Sequence, residues 1–190
     1  MALTAERIVE ASLAILDEYG LADMTMRRVA EALGVKAGAL YWHFPNKQTL
    51  LAAVADQVLD GLETLSRPDG NWLGEWAAAV RFLLLAHRDA AELVASTRAM
   101  GLGRVDPAAQ AREVLVARGA TEDEAEGVAQ AFMHFVLGHV MEEQTQSQLA
   151  ALGVIGGFDG ERSQRHFDWG VRLLVAGSER GVAQTAARLE

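Results

Sequence analysis

The sequence predicts an all-α protein, and three observations carry that prediction. Helix-starting side chains precede apolar runs at Thr4, Thr25, Asn46, Asp106-Pro107 and Thr121-x-x-Glu124. The apolar residues behind them return at helical spacing, never in strict alternation. Glycines then close several of these runs, as at Gly20, Gly34 and Gly119. With 51% hydrophobic residues and only 3 Pro in 190, the chain can bury a sizeable core and is not disordered.

The elements follow in order. Thr4 opens a helix with Ile8, Ala11, Ser12, Ile15 and Leu16 on its core face, closed by Gly20. Residues 21–24 connect it to a helix capped by Thr25, with Val29, Ala30 and Leu33 on one face and Gly34 at its end. A second short helix around Leu40 stops at Pro45-Asn46, where a longer one begins with Leu50, Leu51, Val54, Val58, Leu59 and Leu62 as its stripe. Residues 66–71 are dense in turn formers, which sets the expected domains at 1–65 and 66–190. Beyond them, 72–87 is apolar almost all round and should be central. Helices over 89–99, from Asp106-Pro107 to Gly119, from Thr121 to about 151, and over 161–178 complete the chain.

Composition narrows the function. Without cysteine there is neither a disulfide framework nor a thiolate metal site. Glu6, Arg7 and Glu10 break up the early apolar residues, and no uncharged apolar run approaches the roughly 20 residues of a membrane span, so a cytoplasmic address with no membrane partner is expected.

Two short helices crossed over a glycine turn, with the small Ala30 at the closest approach, describe a helix-turn-helix, whose second helix enters the DNA major groove. Arg27, Arg28, Lys36 and Lys47 supply positive charge, while Tyr41, Trp42 and His43 supply aromatic and polar reach. The Thr25 hydroxyl can cap its helix and also donate to a phosphate; capping alone accounts for it equally well. An ordinary αα-hairpin is the plainer alternative, but Gly38 and residues 41–44 are weak helix formers for a surface selected only for stability. The net charge of −9 opposes a DNA partner, and up to Leu65 there are five Lys/Arg against nine Asp/Glu. Between Met26 and Lys47, however, four basic residues face a single acid, Glu31. The acids of the first helix (Glu6, Glu10, Asp17, Glu18) are expected to point away from the phosphates, and non-specific affinity to be modest.

The pattern Thr25-x-Arg27-x-Val29-Ala30-x-x-Leu33-Gly34-Val35, followed by Leu40-Tyr41-Trp42-His43-Phe44-x-Asn46-Lys47, resembles the DNA-binding domain of the tetracycline-repressor (TetR) family. The resemblance implies an N-terminal three-helix DNA-binding domain with a C-terminal helical ligand-binding and dimerisation domain. It further implies a homodimer on a palindromic double-stranded operator, released when a small-molecule effector moves the two heads apart. By that resemblance Arg27 approaches a base or phosphate, residues 36–43 read the groove, and Tyr41 and Lys47 hold phosphates. Ala37, Gly38 and Ala39 offer little beyond contact with a thymine methyl, so the operator cannot be written from them.

A weaker resemblance extends over His87-Arg88-Asp89 to Ser96-Thr97-Arg98 and over His134-Phe135-Val136-Leu137-Gly138 to Glu142-Glu143-Gln144. The family's magnesium-binding histidine falls on Val94, its drug-fixing asparagine on Trp76, and a further histidine on Glu63. The architecture is therefore expected without tetracycline specificity, since Val94 is no metal ligand. Spacing and resemblance put Trp76, Val80, Leu84, Val94, Thr97, Arg98, Met100, Met133, His134, Leu137 and Met141 on inward faces, a mostly apolar lining suited to a small molecule. For any one of the aliphatic residues a plain packed core is the commoner explanation. Arg98 and His134 point more to a ligand, although Glu92 or Asp89 can satisfy Arg98 internally.

His139 with Glu142 and Glu143 has metal-compatible spacing, but a solvated helix face explains it better and no metal or other cofactor is expected. No catalytic constellation is visible, so the chain is not read as an enzyme. Phe132, Phe135, Val136 and Val140 on one long helix, and Trp169, Leu173 and Leu174 on the other, can pair across a two-fold axis. The competing expectation is a helical small-molecule binding or sequestering protein without DNA readout, motivated by the acidic head and by Ala37-Gly38-Ala39.

Overall fold

A computed structural model describes residues 2–62 and 71–189, with side chains up to Arg180. The described residues are all-helical: α1 (Ala5–Tyr19), α2 (Met26–Leu33), α3 (Ala37–Leu40), α4 (Lys47–Val58), α5 (Trp72–Leu85), α6 (Ala90–Ala99), α7 (Ala109–Ala117), α8 (Glu122–Ala151) and α9 (Gly160–Leu189). The chain forms two compact units, one comprising the residues up to Asp60 together with Leu83–Asp106, the other Gly61–Phe82 with Pro107–Glu190. The boundary expected at 65/66, the turn residues around it and Glu63 lie outside the described residues.

In the first unit α1 packs on α2 and α4, α2 on α3, and α4 on α6. Ile8, Leu16, Val29, Leu40, Leu50 and Val54 are fully buried there. The Thr4 hydroxyl accepts the Arg7 N–H at 3.3 Å. At the other end of α1, Gly20 returns its N–H to the Leu16 carbonyl at 2.8 Å. α4 stops at Val58, earlier than the apolar spacing through Leu62 suggests. Gly61 takes a φ of 87°, a left-handed residue that no helix continues through, although Leu59 and Leu62 are still buried.

In the second unit α8 packs on both α7 and α9. The capping box at Thr121 is present: Glu124 Oε2 accepts the Thr121 N–H at 2.9 Å and the Thr121 hydroxyl accepts the Glu124 N–H at 3.3 Å. Trp72 and Trp76 stack at 6.3 Å, and Trp76 meets the Phe132 ring edge-on at 6.0 Å. Asp106-Pro107 does not cap α7; regular helix begins at Ala109, and the Pro107 carbonyl accepts the Trp76 indole N–H at 3.0 Å. α5 is not buried all round either, since Phe82 stands 73% exposed. α9 continues past the expected stop at 178 to Leu189. No helix among the described residues is long and apolar enough to cross a membrane.

Candidate nucleic-acid interface

The Thr25 hydroxyl oxygen accepts the Arg28 N–H at 3.2 Å and so caps α2. Thr25 is exposed, which leaves its hydroxyl proton to donate outward. α2 closes with two hydrogen bonds, Gly34 N–H to the Glu31 carbonyl at 3.1 Å and Val35 N–H to the Ala30 carbonyl at 3.0 Å. Gly34 supplies the φ of 66° that this closure needs. The chain then enters α3, a single turn.

Leu40 and Phe44 are buried and anchor that turn, while Tyr41, Trp42 and His43 between them are exposed. Trp42 has 91% of its surface in water. An indole so placed buries little surface and does little for the fold. Lys36 is exposed just before α3, and Lys47 is half-buried as the first residue of α4. Asn46 and Thr49 cap that helix reciprocally, Asn46 Oδ1 accepting the Thr49 N–H at 2.8 Å. The positive end of the α4 dipole therefore sits beside Lys47. Ala37 and Ala39 are half-buried and Gly38 is exposed; a methyl group added at Gly38 would meet nothing within 4 Å.

The two adjacent arginines differ. Arg27 Nε lies 3.3 Å from Glu31 one turn along α2, with 86% of the Arg27 side chain exposed. Such a pair exchanges for a phosphate at little cost. Arg28 is only 37% exposed; it pairs with Asp23 at 3.2 Å and its guanidinium lies 4.2 Å from the Tyr19 ring centroid. A hydrogen bond to Glu18 holds the Tyr19 phenol above its usual pKa.

Among the acids of α1, Asp17 turns to the segment before α6, accepting the Arg88 N–H at 3.2 Å and lying 3.0 Å from His87 Nδ1. Glu6 is exposed near the start of the same helix. Its own N–H and Thr4 hold its carboxyl below the usual carboxylate range, and nearby His43 adds to the effect.

Several polar contacts of this unit carry no signal in the sequence. Asp89 takes a φ of 54° and accepts the Leu21 N–H at 2.9 Å. Asp56 accepts the N–H groups of Arg104 and Val105 at 2.9 and 3.0 Å.

The residues expected to line an effector pocket are divided between the units. In the first, Val94 and Thr97 are buried and Arg98 is half-buried. The Thr97 hydroxyl donates to its own helix at Leu93, 3.0 Å away. Asp89, weighed as a partner for Arg98, accepts from Leu21 and lies 3.9 Å from Arg88. In the second unit Trp76, Val80, Met133 and Leu137 are buried. His134 and Met141, expected to face inward, are instead exposed. The buried face of α8 runs through Ala129, Phe132, Met133, Val136 and Leu137, and His134 falls one position off it.

His139 of α8 meets α9. Its Nε2 lies 3.2 Å from the Ser163 hydroxyl, and burial beside Phe135 and Phe167 pushes its pKa down. Glu143 is bound by Arg81, and no cluster of three His, Cys, Asp or Glu suited to a metal occurs among the described residues.

The model of bacterial regulatory proteins of the tetR family matches residues 8–54, and that of tetracyclin repressor-like C-terminal domains matches 67–153. The class A tetracycline repressor from transposon 1721 of Escherichia coli is 33% identical over 92% of this chain and 90% of its own. The crystal structure of Mycobacterium smegmatis BioQ superposes with a TM-score of 0.84 at 38% identity, covering 93% of this chain and 98% of that one. BioQ bound to its double-stranded DNA operator superposes at 0.80 with 36% identity over 93% of this chain and 98% of that one. A capped α2, a Gly34 turn and an exposed Tyr41-Trp42-His43 thus stand on a chain related over nearly its whole length to these regulators: it belongs to the tetR family of bacterial regulatory proteins.

Proposed function

We propose that this protein is a ligand-responsive DNA-binding transcriptional regulator, a repressor released from a palindromic operator by a small molecule other than tetracycline. The observation that carries the reading is Tyr41-Trp42-His43 held out in solvent by buried Leu40 and Phe44, with Lys36 and Lys47 on either side. BioQ, a relative along nearly the whole chain, has been crystallised with its own operator. Arg27, Lys36 and Lys47 supply phosphate contacts, with Thr25 donating at the head of α2. Ala37, Gly38 and Ala39 let α3 approach the base edges, and Tyr41, Trp42 and His43 contact the groove wall. The reading assigns no catalytic role and places the protein in the cytoplasm.

Two copies form the working unit. Trp169 and Leu173 are largely exposed on α9. Leu173 lines an apolar groove of about 380 Å³ with Gly127, Val128 and Ala131 of α8 and Leu174 and Gly177 of α9, and Trp169 stands one turn before it on the same helix. A second copy laid across a two-fold axis buries this face. The effector is sensed within the second unit, through Trp76, Val80, Met133 and Leu137, with His134 and Met141 reached from the surface. Val94 and Trp76, standing where the family's drug ligands fall, support an effector other than chelated tetracycline.

A mobility-shift assay with duplex DNA from beside its own gene tests the reading, and salt-sensitive, sequence-selective retention is the expected result. Ligand-dependent thermal stabilisation without DNA retention, even at low salt, would favour the sequestering protein instead. Gly38 supplies a sharper test. Helix interiors disfavour glycine by roughly 1 kcal/mol relative to alanine, and nothing in this chain occupies the space beside it. Gly38→Ala is therefore expected to leave thermal stability unchanged or slightly raised while weakening operator binding, as urea denaturation and the shift assay read separately.

A further inference from the structure

Resting on the DNA-binding reading, we infer that Arg28 is a positioning residue: clamped between Tyr19 and Asp23, it fixes the corner between α1 and α2 and leaves phosphate contact to Arg27. The clamp joins three stretches of chain. The guanidinium lies 4.2 Å from the ring centroid of Tyr19, the last residue of α1. One of its nitrogens is 3.2 Å from the carboxylate of Asp23, in the connector. The backbone N–H of the same residue is held by Thr25 at 3.2 Å. Arg28 thus ties the end of α1 and the connector to the first turn of the helix that carries Arg27.

Its neighbour makes the contrast. The ion pair of Arg27 is with Glu31 on the same helix, so breaking it moves no element. Arg28 loses both a stacked ring and an ion pair if it swings out to a phosphate. Held between the ring and the carboxylate, it reaches no phosphate without breaking the clamp, so it contributes little to the counterion release that drives non-specific binding. A head whose corner is loosened spends part of its time outside the DNA-competent arrangement. Affinity then falls at most by the strength of the clamp, which is several-fold and not a hundredfold.

Equilibrium binding to a duplex selected by the wild-type protein from a random-sequence pool, measured over a salt series, separates the two roles. Arg27→Ala is expected to shrink the log–log salt slope by about one, as the loss of one phosphate contact does. Arg28→Ala is expected to weaken binding by about fivefold with the slope unchanged, the scale of one exposed cation–π contact and one surface ion pair. Tyr19→Leu, which leaves the Asp23 pair, should reproduce the part of that loss due to the ring with the slope unchanged, and the double variant should be no weaker than Arg28→Ala because both break the same clamp. Arg28→Lys, which keeps the charge but not the planar face, should behave as Tyr19→Leu and keeps the test open if the alanine variant folds poorly. A slope reduced by about one in Arg28→Ala, or Tyr19→Leu binding as the wild type does, overturns the inference. Failure of the wild-type pool to yield any bound duplex refutes the DNA-binding reading instead.

Discussion

Glu143→Ala is expected to destabilise the second unit by about 3–5 kcal/mol, the cost of leaving a buried charge without its partner. Arg81 and Glu143 are 12% and 7% exposed, and the guanidinium meets the carboxylate through Nη2 at 2.7 and 2.9 Å and through Nε at 3.2 Å. Arg81 also donates to Gln164 and lies 5.1 Å from the Phe167 ring centroid, so one arginine joins α5, α8 and α9. Removing the carboxylate strands the cation among these groups. Removing both charges is different, because the attraction of a buried pair largely offsets its own desolvation. Arg81→Met/Glu143→Leu is accordingly expected to recover most of the loss. Urea denaturation of the two variants checks this, and a single variant within about 1 kcal/mol of the wild type would show the pair to be better hydrated than its burial implies.

Gly20→Ala is expected to cost about 2–4 kcal/mol, combining backbone strain with a lost buried hydrogen bond. Gly20 adopts φ 86° and ψ 173°, a conformation open essentially to glycine alone. A methyl group there would come within 2.6 Å of Asp89 Oδ2, the oxygen that accepts the Leu21 N–H at 2.9 Å. Either the peptide turns or the aspartate leaves, and Asp89 is itself held at a positive φ. Gly34→Ala is the control: its φ is 66°, but nothing lies within 4 Å, so about 1 kcal/mol of left-handed strain is all it should lose. Equal losses at the two positions would remove the close approach to Asp89 from the explanation.

Local rules account for what the sequence revealed. Thr4, Thr25 and Thr121 cap the helices they were expected to cap, because an N-cap bond closes within a few residues of chain. The turn at Gly34 and the exposed Tyr41-Trp42-His43 were legible for the same reason. Apolar spacing misled where a backbone feature overrode it: Leu59 and Leu62 continue the stripe of α4, yet Gly61 ends the helix before them. It misled again on α8, where His134 lies a single position from Met133 and the helical rotation between neighbours carries it into solvent. Contacts between distant segments gave no signal at all. Asp56 reaches Arg104 across 48 residues, and Asp89 reaches Leu21 across 68. Arg28 looked like a fourth free cation because its partners, an aromatic ring and an acid in a connector, are ordinary residues until the corner brings them together.

Hydrogen exchange of the backbone amides, followed as the selected duplex is added at low salt, locates the DNA contact along the chain. Slowed exchange is expected between Thr25 and Lys47, strongest across the α3 turn and the first turn of α4. Protection that spares those residues, or none at saturating duplex, would contradict the DNA-binding reading.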